Sequence, residues 1–133
     1  MKTVFADSVY FFAVLNAHDR LHEQAVRYAA EGSDAILTTA WVLTEVADGL
    51  CHHSAQDAVV RLWQTLEAAS DVEIVPPPPE LFHRGYERYR LRPDKEWSLT
   101  DCISFVVMGE RGITEALTSD HHFGQARYVK LLS

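Results

Sequence analysis

The chain has 133 residues, 47% hydrophobic and 23% charged, and its 12 Lys plus Arg against 19 Asp plus Glu give a formal net charge of −7. That length predicts a single domain over residues 1–133, the apolar fraction excludes intrinsic disorder, and only six Gly and five Pro exclude a collagenous or low-complexity chain. A polyanion partner usually leaves a basic footprint, so the acid excess points away from nucleic acid until the carboxylates are located.

Thr3-Val-Phe-Ala6 is a short β-prone run ending at Asp7, and Ser8 can cap a helix carrying Val9, Phe12, Ala13 and Asn16. The apolar run from Val9 to Leu15 is far short of the roughly 18 residues of a membrane span, so no membrane association is expected. Asp7 also stands where a secretory leader carries positive charge. Leu21, Ala25, Tyr28 and Ala29 recur at helical spacing until Gly32 closes the segment, and Ala35-Ile-Leu-Thr38 is the second strand. A third helix is expected from about Ala40 to His52. A fourth runs from Ser54 to Ala69, with Val59, Leu62, Trp63 and Leu66 on one face.

Val72-Glu-Ile-Val75 reads as the third strand. Pro76 to Pro79 is a stiff connection whose last proline can open the helix of Leu81, Phe82, Tyr86 and Tyr89. It is too short for a domain linker, and neither flank holds a core of its own. Trp97 and Ser98 introduce a helix to about Arg111, Gly112 ends it, and Glu115-Ala-Leu-Thr118 and Tyr128 to Leu131 are the last strands. Helices thus alternate with strands that are apolar throughout, the pattern of an α/β domain whose parallel sheet is covered on both faces. Cys51 and Cys102 lie far apart without a C-x-x-C spacing, which predicts neither a disulfide framework nor a zinc knuckle and makes the cytoplasm the expected compartment.

Open parallel sheets bind ligands beyond the carboxyl ends of their strands. Asp7 ends strand one and Asp120 follows strand four by two residues, so the two acids meet if those strands are neighbours. Glu45 sits at the border of the helical face made by Val42, Leu43, Val46 and Leu50. Asp101 lies on a helix apolar almost all round, and a lone buried carboxylate there would cost several kcal/mol. Each acid has an ordinary explanation. Asp7 could satisfy amides of the next helix, Glu45 could pair with an Arg, and Asp120 could cap the turn at His121. Asp101 could complete the capping box Ser98-Leu-Thr-Asp101. No Lys or Arg stands beside Asp7, Asp101 or Asp120, however, and carboxylates gathered without cations suit a hard divalent ion such as Mg²⁺ or Mn²⁺ beside substrate phosphate.

These residues resemble the PIN-domain family, and within it the VapC-type ribonuclease toxins of bacterial type II toxin-antitoxin pairs. The resemblance rests on Val4-Phe-Ala-Asp7-Ser8, Leu37-Thr-Thr-Ala-Trp-Val-Leu-Thr-Glu45, Trp97-Ser-Leu-Thr-Asp101-Cys102 and Ala116-Leu-Thr-Ser-Asp120-His-His-Phe123, whose acids are separated by 38, 56 and 19 residues. It implies a three-layer α/β/α domain with a five-stranded parallel sheet in the order 3-2-1-4-5. It also implies a Mg²⁺- or Mn²⁺-dependent endoribonuclease leaving 5′-phosphate and 3′-hydroxyl ends. Asp7, Glu45, Asp101 and Asp120 match the family's metal-binding and catalytic acids, and Thr118 its hydroxyl position beside the last acid. The implied partners are an RNA substrate, a cognate antitoxin that inserts a C-terminal segment into the groove, and a second copy forming a homodimer through early helices. Two positions depart from the pattern. Gln125-Ala-Arg127-Tyr128 lacks the Gly common before the last strand, and Gly109 replaces a frequent basic residue, which would remove a phosphate contact.

Arg84, Arg88, Arg90, Arg92 and Lys95 gather positive charge before the Asp101 helix, with Tyr86, Tyr89 and Trp97 interleaved. Arg90 and Arg92 are expected to follow an RNA backbone, and the tyrosines are expected in the core. His122 can touch a phosphate near Asp120, whereas His52-His53 and His121-His122, as adjacent residues pointing different ways, are not expected to chelate an ion. Rival readings are a non-catalytic binding protein of the same fold, an RNA-processing nuclease outside a toxin-antitoxin pair, and a phosphatase or receiver domain. The last lacks its acids, since Val9 stands where an aspartyl phosphatase carries a second Asp and Phe5-Ala6 where a receiver carries a pair. With four charges in the site, the remainder carries −7 + 4 = −3, so the acid excess is mainly a localised metal trap.

Overall fold

The structure, a computed structural model, describes residues 1–133 apart from the side chain of His53. Five short segments, β1 (Thr3–Ala6), β2 (Ala35–Thr39), β3 (Val72–Val75), β4 (Glu115–Leu117) and β5 (Val129–Lys130), form one sheet in the order β3-β2-β1-β4-β5 with every pairing parallel. Parallel neighbours need crossovers. These are α1 (Ser8–Leu15) and α2 (His22–Glu31), then α3 (Ala40–Gly49) and α4 (His53–Ala68), then α5 (Pro79–Leu91) and α6 (Leu99–Arg111), and last the short α7 (His121–Gln125). Val4 and Phe5 point to opposite faces of the central strand and both are fully buried, so helices cover both faces in a three-layer α/β/α domain.

Strand register sets which residues meet at the carboxyl edge of the sheet. Phe5 pairs with Leu37 on one side and Ala116 on the other, and Ala6 pairs with Leu117, so the residues just past β1 and β4 emerge side by side. Beneath them an aromatic cluster joins the elements that carry them. Phe105 of α6 meets Phe123 of α7 edge-on at 4.9 Å and Trp97 at 5.1 Å, and Phe123 reaches Phe5 of β1 at 6.4 Å. Such pairs contribute about 0.5–1.5 kcal/mol each beyond area burial. Helix α5 lies close on α6 because Gly85 faces Ile103; a Cβ there would stand 3.1 Å from the Ile103 Cα. Gly32 and Gly112 end α2 and α6 in the left-handed region, at φ 56° and 65°. Among the described residues no helix is long and apolar enough to cross a membrane.

Several sequence expectations shift. Helix α3 stops at Gly49, short of His52, and β5 is only two residues long. Asp7, not Ser8, occupies the N-cap position of α1, and its side chain makes no capping bond. A helix, α7, replaces the turn expected at His121. Tyr86 and Tyr89 are 45% and 48% exposed and lie outside the core. The stripe of α5 that faces inward is Leu81, Gly85 and half-buried Arg88, and the tyrosines fall one position away on the next stripe. Gly109 lies eight residues beyond Asp101, about 12 Å along α6 at 1.5 Å per residue, so a basic side chain there would not meet a phosphate at the acids.

Arg127, which stands where the sequence lacks the expected Gly, has φ 72° and is the only non-glycine with positive φ among the described residues. A side chain in that region costs about 1–2 kcal/mol. Arg127→Gly should therefore raise stability by about 1 kcal/mol, less part of glycine's extra unfolded-state entropy. Urea denaturation checks this, and a less stable variant would mean that the Arg127 side chain contributes more than its backbone costs.

Candidate active site

Each acid reaches the carboxyl edge of the sheet by a local device. The Asp7 N–H donates to the Leu117 carbonyl at 3.4 Å across the β1–β4 seam, and the Asp7 side chain is 2% exposed. Thr118 Oγ1 donates to Asp7 Oδ2 at 2.8 Å and accepts the Asp120 N–H at 3.0 Å, so one hydroxyl links the two acids. Asp120 caps α7 by accepting the His122 N–H at 3.0 Å. Asp101 completes the capping box: its Oδ2 accepts the Ser98 N–H at 3.2 Å, and Ser98 Oγ accepts the Asp101 N–H at 3.0 Å. The ordinary explanations for Asp101 and Asp120 thus hold, and they serve to aim both carboxylates. Glu45 comes from the second turn of α3, whose start is set by Thr39 accepting the Val42 N–H at 3.1 Å. Ser8 is the neighbour that opposes the upward shift of Glu45, and no arginine forms an ion pair with it among the described residues.

Asp7, Glu45 and Asp101 are each shifted upward. Burial pushes Asp7 up to about 7; its Thr118 and Ser8 hydrogen bonds oppose this, and the Asp101 and Glu45 charges add to it. Burial followed by the Asp120 charge raises Asp101, against Ser98 and His122. Burial also raises Glu45, with Asp101 and Asp120 adding and Ser8 opposing. Among the described residues no Lys or Arg forms an ion pair with any of them. The nearest basic group is His122, whose Nδ1 lies 3.3 Å from both Asp101 Oδ2 and Asp120 Oδ1, shielded from water and aligned to bond neither. No three of these four acids bring ligand atoms within 4.8 Å of one another among the described residues, and it is the chemistry of the set, oxygen donors with no lysine or arginine paired to them, that suits a hard divalent ion.

The His121 and His122 rings lie 4.2 Å apart, and with Asp120 each offers a ligand atom within 4.8 Å of the others. They do not point apart as expected, because both long side chains reach back to the residue that caps their helix. The His52-His53 pair falls partly outside the described residues. Arg90 and Arg92 sit at the end of α5, each doubly bonded to an exposed acid, Glu87 and Asp94 respectively. Sequence reasoning missed two supports. Trp97 Nε1 donates to Gln125 Oε1 at 3.0 Å, tying the loop before α6 to the end of α7. The Arg88 guanidinium lies 5.4 Å from the Trp97 ring and 5.3 Å from Phe105. A Trp just before the capping box and a Gln at the end of the next short helix were the available signals.

A family model described as the PIN domain matches residues 4–128. The chain is 29% identical over 131 residues to the 23S rRNA-specific endonuclease VapC20 of Mycobacterium tuberculosis, covering 96% of this chain and 97% of that one. It superposes on the crystal structure of M. tuberculosis VapC20, described as a sarcin-ricin loop cleaving toxin, with a TM-score of 0.86 and 25% identity over 98% of this chain and 99% of that one. VapBC2 from Rickettsia felis, bound to a promoter DNA fragment, shares the fold at a TM-score of 0.66 and 12% identity, covering 96% of each chain. FitAcB from Neisseria gonorrhoeae does so at 0.61 and 14%, covering 96% of this chain and 94% of that one.

Because Asp7 binds its proton more tightly folded than unfolded, its contribution to stability is complete below the unfolded value of 3.8 and is lost as pH rises through about 7. The metal-free protein should therefore melt at a lower temperature at about pH 8 than at about pH 5, and Asp7→Asn should flatten that dependence and raise the melting temperature at pH 8. Thermal denaturation across this range checks it; a wild type that gains stability toward pH 8 would contradict the geometry.

Proposed function

The chain belongs to the PIN-domain family, and from that premise we propose that it is a Mg²⁺- or Mn²⁺-dependent endoribonuclease of the cytoplasm, the toxin of a type II toxin-antitoxin pair. The observation that carries this reading is the buried Asp7 carboxylate, fixed by Thr118 and repelled by Asp101 and Glu45, with no lysine or arginine paired to it among the described residues. The likeness to a 23S rRNA-specific endonuclease over nearly the whole chain supports RNA as substrate. The fold shared with VapBC2 accords with a cognate antitoxin that covers the acidic groove. A homodimer is the proposed assembly.

Asp7, Asp101 and Asp120 would hold the divalent ion, and Glu45 would hold it directly or through water. When bound, the ion activates water and offsets the charge that develops on the phosphodiester. Thr118 keeps Asp7 Oδ2 and the Asp120 backbone in fixed relation. The Ser98 bond occupies Asp101 Oδ2 and leaves Oδ1 for the ligand. Glu45, whose proton affinity is raised by burial and by its acidic neighbours, orients the attacking water and can take its proton at a carboxylate oxygen. Attack of the water oxygen at phosphorus breaks the bond to O3′, whose departing oxygen takes a proton from solvent water, leaving a 3′-hydroxyl and a 5′-phosphate. His122 beside Asp120, and Arg90 and Arg92 beyond Asp101, would contact RNA phosphates. Exposed ion pairs such as those with Glu87 and Asp94 are weak enough for a phosphate to displace.

Purified chain free of antitoxin should cleave RNA only with Mg²⁺ or Mn²⁺ present and leave 5′-phosphate ends. Asp7→Asn or Asp101→Asn should lower the rate at least about 100-fold without unfolding the protein. End-mapped cleavage of total RNA checks this. Full activity in Asp7→Asn, or cleavage that survives chelation, would contradict the reading.

A further inference from the structure

Beside the acids, a groove of about 670 Å³ runs between the end of α5 and the start of α6, lined among others by Tyr86, Tyr89, Arg90, Arg92, Lys95 and Ser98. Ser98, one of its lining residues, exchanges two hydrogen bonds with Asp101, so the groove lies next to that acid, although none of the four acids lines it. Its outer wall is aromatic. Tyr86 and Tyr89 are 45% and 48% exposed, lie one helical turn apart on the same side of α5, and stand about 4.5 Å apart along its axis. Phe82, a turn earlier, stacks on Trp41 of α3 at 6.4 Å and 28°, and Trp41 is itself one turn before Glu45.

The charged lining of this groove is Arg90, Arg92 and Lys95 with Glu96, three cations to one acid before the exposed partners Glu87 and Asp94 are counted. Arg90 and Arg92 are engaged only by exposed acids, and Lys95 has no ion-pair partner among the described residues. Arg92 also lies 5.2 Å from the Trp97 ring, so its guanidinium is already held at the groove wall. Aromatic rings at half exposure beside such cations can stack only bases that are already unstacked, which selects a single strand over a duplex.

Resting on the nuclease reading above, we propose that this groove is a subsite for the single-stranded RNA flanking the cleaved bond. Tyr86 and Tyr89 stack on successive bases, and Lys95, with Arg92, carries the phosphates between them. The groove thereby sets how far from the acids the strand is gripped, which the acids alone cannot do.

The test measures fluorescence anisotropy of a labelled single-stranded RNA oligonucleotide, and of one of equal length made abasic at its centre. Both are titrated with the full chain in the Asp7→Asn background, which keeps the RNA intact. Tyr86→Ala and Tyr89→Ala should each weaken binding of the intact strand about ten-fold. Tyr→Trp at either position should restore it, and the abasic strand should bind parent and alanine variants alike. Lys95→Ala should lower the slope of log affinity against log salt by about 0.7. Equal affinity of parent and alanine variants for the intact strand overturns the proposal. So does an alanine variant that keeps its RNA affinity but changes from dimer to monomer in sedimentation, because the rings would then cover a second copy. Cleavage by the chain with Asp7 intact is scored in parallel. If it cleaves while the tyrosine variants bind normally, the groove fails alone; if it cleaves nothing, the nuclease reading fails and the anisotropy still decides the groove.

Discussion

The constraint on which the rest depends is a carboxylate at the end of the central strand, almost wholly withdrawn from water and facing other carboxylates. Asp7 reaches that position because β1 is paired on both sides, so its last residues have no route to the surface. Burial of an anion there would ordinarily be relieved by an arginine. The chain supplies instead a hydroxyl from Thr118, which favours the charged form without neutralising it. The charges of Asp101 and Glu45 add to the cost, and Asp101 and Asp120 are both held at helix N-termini by capping bonds. Among the described residues no lysine or arginine is paired with any of these acids.

The packing below the cluster explains why the strain does not dissipate. Phe105 and Phe123 meet edge-on under the two helix starts, Trp97 and Phe105 both lie against the Arg88 guanidinium, and the Trp97 indole N–H reaches Gln125. Helix α5 can lie on α6 only because position 85 has no side chain. These contacts connect the elements that carry Asp101 and Asp120 to β1, which carries Asp7. The acidic site and the hydrophobic core are therefore one construction, and a cavity at Phe105 would be felt at both helix starts.

Much of this was legible in the sequence, and the physical reasons differ by element. Uninterrupted apolar runs announced a sheet buried on both faces, and Gly32 and Gly112 marked helix ends because the left-handed conformation found there suits glycine. Asp101 stood out because a carboxylate on an otherwise apolar helix must have a reason to be there. The strand order was not in the periodicity and came only through the family resemblance. Tyr86 and Tyr89 were misassigned because hydrophobicity cannot tell the inward stripe of α5 from the adjacent one; that choice is made by Gly85, whose lack of a side chain lets α6 approach. The rings of His121 and His122 were misassigned because adjacency in sequence says little about long side chains that share one cap. The net charge of −7, which first argued against a nucleic acid, is mainly a statement about one site, with −7 + 4 = −3 left elsewhere.

On the proposed reading the acids bind a divalent ion, and Asp7 gives up its proton as the ion binds. Isothermal titration calorimetry of Mn²⁺ into the metal-free protein, in buffers of differing ionisation enthalpy, measures binding and proton release together. Because Asp7 is pushed up to about 7, close to one proton should be released per ion bound at about pH 6, falling toward none at about pH 9. Binding with no proton release at pH 6, or no binding at either pH, would contradict the account.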